Sequence, residues 1–219
     1  MKKHPRLKRA LIIIAIVIAV LILAFVALIV VHIEEIYQPV DKPVIYLYPK
    51  EKTDVSVQLD FDGTLTCTYP AYRDGWTVTA LPDGTLTDSS GQSYNYLYWE
   101  GEGRVEYDFS HGFCVTGSDT AAFLEDALAQ LGLTRREANE FIVYWLPLMQ
   151  DNPYNLITFQ TDRYTQTARL SIDPAPDTLL RIFMVWKPLD NAVDIAPQTL
   201  TAPERSGFTV VEWGGSCAK

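Results

Sequence analysis

The chain has 219 residues, of which 48% are hydrophobic and 21% charged, with a formal charge of −9. The length allows one ordinary domain beyond any targeting segment, and that domain can bury a core without metals or disulfides. The acidic balance argues against nucleic acid or anionic lipid headgroups as partners, and three cysteines are too few for a disulfide scaffold.

The first element is an apolar run from Ala10 to Val31, with no charge or proline inside it. As a helix it reaches about 33 Å, enough to cross a hydrocarbon core. Lys2, Lys3, Arg6, Lys8 and Arg9 precede it; Glu34 and Glu35 follow. Basic flanks stay on the cytoplasmic side, so this pattern predicts a single-pass anchor in the cell membrane with an extracytoplasmic C-terminal part. A cleaved signal is the rival reading, but its apolar core would be shorter and would end in a small-x-small site. The layout expected is a tail over 1–9, a membrane helix over 10–31, a linker over 32–41 and an exported β-rich domain over 42–219. All 27 acids follow the run, so the exported part carries about −14 by formal count, which keeps it soluble.

Pro43 to Pro49 reads as a short strand fenced by prolines. Thr53 to Asp60 alternates, with Val55, Val57 and Leu59 on one face, as a half-buried strand does. Asp62-Gly63 followed by a second alternating run, Thr64 to Tyr69, predicts a β-hairpin. Trp76 to Ala80, Tyr94 to Trp99 and Arg104 to Phe109 are further β-rich runs between turn signals. The period changes after Gly117. Phe123, Leu124, Ala127, Leu128 and Leu131 recur at helical spacing, Gly132 suits the stop, and Thr134–Glu137 has the form of a capping box. Two helices near 119–131 and 135–147 therefore form a hairpin, the second ending near Leu146 because of Pro147. Strand patterns return at 156–160, 167–172, 179–186 and 208–213, and 188–205 is a proline-rich loop. The fold class expected is α+β: a mostly antiparallel β domain of two packed sheets with an inserted helical hairpin.

Candidate chemistry is sparse. Asp60-Phe61-Asp62-Gly63-Thr64-Leu65 resembles the first motif of haloacid-dehalogenase-type phosphatases, which implies a nucleophilic Asp60 and an acid/base Asp62. That family needs helices after each strand, and here no helix follows for more than about 50 residues. The sequence Asp-Gly-Thr-Leu-Thr also recurs at Asp83–Thr87, which points to turn chemistry. Ser110-His111-Gly112-Phe113-Cys114 gathers a hydroxyl, an imidazole and a thiol, but a Cys–His pair needs separate elements and an orienting acid. No spacing of His or Cys suits a metal, and no cofactor signature is present. If any disulfide forms within the chain, Cys67–Cys114 is the favoured pair, with Cys217 left over.

The stretch Tyr94-Asn95-Tyr96-Leu97-Tyr98-Trp99-Glu100-Gly101-Glu102 stands out most. On one strand it places Tyr94, Tyr96 and Tyr98 on one face, so with Leu97 and Trp99 inward the phenols line up outward. Such a row can stack on sugar rings or dock a peptide, with Glu100 and Glu102 supplying polar contacts. The plainer reading is cross-strand packing by good strand formers.

Three stretches, Lys42–Pro49 (KPVIYLYP), Tyr94–Gly101 (YNYLYWEG) and Glu212–Gly215 (EWGG), together resemble an uncharacterised group of bacterial proteins with related forms in fungi. The resemblance spans most of 42–215 and implies one coherent module; it implies no activity and no catalytic residue. The function expected is an anchored binding or interaction module, for envelope polysaccharide or a protein partner, through Tyr94, Tyr96, Tyr98, Glu100 and Glu102. The alternative is an exported hydrolase, glycosidase-like or phosphatase-like, drawing on Asp60, Asp62, Glu100 and Glu102 or on His111 and Cys114. A third is a subunit of an envelope assembly, which would leave Phe141 or Trp145 exposed.

Overall fold

The computed structural model describes residues 5–218, and it divides into two compact units, Met1–Tyr37 and Gln38–Lys219. The first holds α1 (Pro5–Ile36). Its stretch Ile12–Val30 has a mean hydropathy of 3.6 and no buried residue, so it is long and apolar enough to cross a membrane; a signal sequence would meet the same test. Strand character starts at Tyr37, directly after this helix and ahead of residue 42.

The second unit contains two sheets. The larger has seven strands, in the order β3 (Gly63–Tyr69), β7 (Leu97–Arg104), β1 (Tyr37–Tyr48), β12 (Thr209–Cys217), β11 (Thr178–Leu189), β9 (Tyr154–Phe159) and β8 (Phe113–Thr116). The smaller has five: β10 (Ala168–Asp173), β2 (Thr53–Phe61), β4 (Trp76–Ala80), β5 (Leu86–Thr87) and β6 (Ser93–Tyr94). Strands β11 and β12 run parallel, and the other pairs with a described register are antiparallel. Helices α2 (Thr120–Gln130) and α3 (Arg135–Met149) cover the outer face of the larger sheet; α4 (Thr161–Thr167) links β9 to β10. The expected α+β class with two sheets and a helical hairpin is thus the observed one.

Two cores explain the patterning. On β1, Ile45 and Leu47 point between the sheets, while Val44 and Tyr46 point under the helices. A central strand buried on both faces reads as a continuous apolar run, as in Val44–Tyr48 and Ile182–Trp186. Strand β2 lies in the smaller sheet and keeps a clean alternation, with Val55, Val57 and Leu59 buried. In the helical hairpin, Gly132 takes φ +86° after α2, and the Thr134–Glu137 capping box forms as its spacing implies.

Several details differ from the sequence reading. Asp62-Gly63 is not a hairpin turn: β2 pairs with β10 and β4 in one sheet, whereas β3 pairs with β7 in the other. The chain changes sheets there because Phe61 turns its ring inward against Trp99, 4.9 Å between centroids. Gly101 on β7 makes room, since a Cβ there would lie 2.5 Å from that ring. Helix α3 does not stop at Leu146. It runs through Pro147 to Met149, which is wholly buried, and the Gln150 N–H still reaches the Leu146 carbonyl at 2.9 Å. Core burial at Met149 offsets the single hydrogen bond that proline removes.

Residues 105–109 leave the sheet as irregular chain. The Cys67–Cys114 pairing is excluded. Cys67 lies on β3 and Cys114 on β8, the two opposite edges of the larger sheet, about 29 Å apart at ~4.8 Å per strand. All three cysteines are free. Phe141 and Trp145 are both wholly buried, so neither provides the exposed contact that would favour an assembly subunit.

The space between the sheets also holds charge. Arg181 on β11 and Glu212 on β12 are register partners, joined by an Nε–Oε2 hydrogen bond of 2.5 Å. Trp99 donates to the other Glu212 oxygen at 3.2 Å, and the Arg181 guanidinium lies 4.7 Å over the ring of Tyr164 from α4. A second buried carboxylate, Glu137, accepts from Arg205 at 2.8 Å and so ties the proline-rich loop to the start of α3.

Candidate functional site

Helices α2 and α3 leave the β7–β3 end of the larger sheet uncovered. On β7, Leu97 and Trp99 point into the inter-sheet core, so Tyr98, Glu100 and Glu102 occupy the opposite face by strand alternation. Cross-strand from them on β3 lie Tyr69, Cys67 and Thr64, all exposed. Tyr96 joins the same surface just before β7 and packs edge-on to Tyr46 at 5.3 Å. From α3, Tyr144 and Glu140 face it, and Glu140 accepts a 2.9 Å hydrogen bond from the Tyr46 hydroxyl.

Lys42 sits in the middle. Its ammonium lies 5.8 Å from the Tyr96 ring, 5.2 Å from Tyr98 and 5.4 Å from Tyr144. Two local features put it there. The β1–β12 register slips between Asp41 and Val44, a bulge, and Lys42 adopts φ +58°, which a non-glycine residue rarely takes. Pro43 fits such an interruption, because it has no N–H to give a ladder. Gly214 on β12 lets it pack close: a Cβ at that position would lie 3.0 Å from the proline ring.

Asp41 completes the group. Burial first, and then the charges of Glu100 and Glu102, raise its carboxyl from 3.8 to about 6. Tyr144 is pushed up to about 12 by burial, then by Asp41 and Glu100. Tyr98 is raised by burial and by the Glu100 carboxylate beside it, and Cys217 by burial and Asp41. These shared causes link three carboxylates with Tyr98 and Tyr144 in one electrostatic cluster, and Lys42 joins it through its contacts with the tyrosine rings. The sign of the Asp41 shift is destabilising: the unfolded chain releases this proton near 3.8, the folded one near 6. The penalty therefore grows between about pH 4 and 6 and stays constant above. Asp41→Asn is expected to raise the melting temperature at pH 7.5 relative to the parent protein. The gap should close below pH 4 in paired thermal scans.

Of the residues singled out in the sequence, Tyr96, Tyr98, Glu100 and Glu102 come together. Tyr94 does not share their strand. It belongs to β6 in the smaller sheet, hydrogen-bonds Asp88 at 2.9 Å, and touches the surface only through Tyr69, 5.4 Å between ring centroids. The predicted row of three outward phenols is thus broken at Asn95, where the chain passes between sheets. Lys42, Asp41, Tyr69 and Tyr144 were missed, and proline inside a strand pattern at 43 was the available signal.

The other candidates stay apart. Asp60 and Asp62 are exposed, and Asp60 holds only a surface ion pair to Arg169 at 3.2 Å. Ser110 Oγ lies 3.1 Å from His111 Nδ1, but both side chains are exposed and adjacent in sequence. Cys114 accepts from the Val193 N–H at 3.4 Å. Among the described residues no cluster of His, Cys, Asp and Glu has the arrangement of a metal site.

No family model matches the chain, and no solved structure matches it. One curated relative is similar: an uncharacterised protein in the bglA 3′ region of Butyrivibrio fibrisolvens, 50% identical over 64 residues. The match takes in 28% of this chain and 66% of that relative, just under two-thirds of its length.

Proposed function

We propose that this chain is a membrane-anchored, extracytoplasmic binding module that holds a saccharide of the cell envelope on the surface around Lys42. The observation that carries the reading is the meeting of Tyr69, Tyr96, Tyr98 and Tyr144 with Glu100 and Glu102 on an uncovered sheet face. Flat phenol rings offer stacking area for sugar rings, and carboxylates accept from sugar hydroxyls. An open surface suits a polymer better than a small enclosed ligand. The basic residues before the apolar helix and the acidic ones after it support an N-terminus in the cytoplasm. The bilayer, through residues 10–31, is then one partner and the polysaccharide the other.

A hydrolytic reading rests on one feature, the raised Asp41 carboxyl beside two carboxylates, because a glycosidase needs a protonated acid near an ionised one. A glycan array probed with the detergent-solubilised full chain separates these readings. Retention of intact glycans is expected for binding, with Tyr69→Ala and Tyr98→Ala each weakening it roughly threefold to tenfold. Cleaved glycans, with cleavage lost in Asp41→Asn, would establish the hydrolase. No retention and no cleavage would remove both.

A further inference from the structure

Strand β11 is paired unevenly. Strand β12 matches it from Thr178 to Trp186, whereas β9 on its other side begins only at Met184. Among the described residues Thr178–Phe183 therefore has no strand neighbour on the β9 side, a length of about 20 Å at ~3.3 Å per residue. A groove of about 970 Å³ runs there. Four consecutive residues, Leu179 to Ile182, line it. A groove over a sheet face would meet only alternate residues, so this one follows the strand's edge. Its walls are α4, including Arg163 and Thr165, and the loop through Thr199 and Leu200.

The direction of the backbone groups follows from the pairing. The Thr178 N–H bonds to Phe208 O and the Trp186 carbonyl accepts from Ala218, so even-numbered residues face β12. Odd-numbered residues face the groove. Two of their carbonyls are already engaged: Phe183 O accepts from Gln160 N at 2.9 Å, and Arg181 O from Thr161 Oγ1 at 3.2 Å. The amides of Leu179 and Arg181 and the Leu179 carbonyl remain directed into it. Elsewhere the structure caps such edges: Gln198 uses its side-chain amide to pair with both the N–H and the C=O of Phe159 on β9. At Leu179, which is 41% exposed, no such cap is present among the described residues.

We propose that this edge is a docking site for an extended peptide of a partner protein, which adds as a strand between α4 and the 197–203 loop. Main-chain groups at strand spacing recognise polypeptide backbone above other ligands. Side chains of the added strand would alternate between the face shared by Leu131, Leu180 and Leu200, which is apolar, and the α4 face, which carries Asp162 and Arg163. The peptide that fits is therefore alternately apolar and polar. This site is distinct from the tyrosine surface and stands independently of the saccharide reading.

The test pans the detergent-solubilised full chain against a phage-displayed library of random heptapeptides. Enriched peptides should alternate apolar and polar residues and should protect the Leu179 and Arg181 amides from hydrogen exchange. N-methylation at every second residue should weaken them by about tenfold or more, and at the intervening residues much less. Leu179→Pro, which removes one donor, should abolish binding. Should that variant fail to melt cooperatively, Thr199→Trp, which fills the groove from a surface loop, serves instead. A library that enriches nothing, peptides that tolerate N-methylation everywhere, or protection confined to other strands would overturn the proposal.

Discussion

Glu212→Gln is expected to destabilise the domain by about 3–5 kcal/mol, because it leaves the Arg181 guanidinium buried without a counter-charge. Glu212 is wholly buried and Arg181 is 9% exposed, so neither can turn to water without opening the two sheets. Glutamine keeps one oxygen for two donors, so either Trp99 or Arg181 loses its acceptor and meets an amide NH2 instead. At roughly 2–4 °C per kcal/mol for a domain of this size, the melting point should fall by about 6–20 °C. Thermal unfolding followed by near-ultraviolet circular dichroism measures it, since Trp99 lies inside the affected layer. Replacing both partners, Arg181→Met with Glu212→Leu, should recover much of the loss, because two desolvated charges disappear together. A single variant that melts with the parent protein would mean that this pair is not buried as described.

Trp145→Ala is expected to cost a similar amount, about 3–5 kcal/mol, by opening a cavity between α3 and the larger sheet. The indole lies against Gly215 of β12, where a Cβ would come 2.7 Å from its ring, and packs beside Phe141 at 6.1 Å. The substitution should also reach the candidate site, because Tyr144 stands edge-on to Trp145 at 4.9 Å and supplies one of the three rings around Lys42. Chemical denaturation gives the first effect and saccharide binding the second. Trp145→Phe keeps most of the volume and should lose much less of both.

The sequence carried the fold where a residue's role is set by periodicity. Alternation in β2, the capping box at Thr134 and the glycine stop at Gly132 all declare local structure, and each stands where expected. It misled where two sheets share one stretch of chain. Asp62-Gly63 and Asn95-Tyr96 both look like continuations within one sheet, and both are crossings, decided by Phe61 and Trp99 packing across the core. The candidate site was half legible for the same reason. Tyr96 to Glu102 announce themselves as one cluster, but Asp41, Lys42 and Tyr144 join from a bulged strand and a helix far away in sequence. Only tertiary packing brings those elements together. Arg181 and Glu212 gave no sign at all, since a buried ion pair looks like any two surface charges until register makes them neighbours.

The most direct measurement is a tyrosine-ring NMR titration of the full chain with the saccharides that the array retains. The rings of Tyr69, Tyr96, Tyr98 and Tyr144 should shift together and saturably, while Tyr154 at the far end of the sheet stays fixed. Shifts confined to other tyrosines, or none at saturating saccharide, would contradict the assignment of the surface around Lys42 as the binding site.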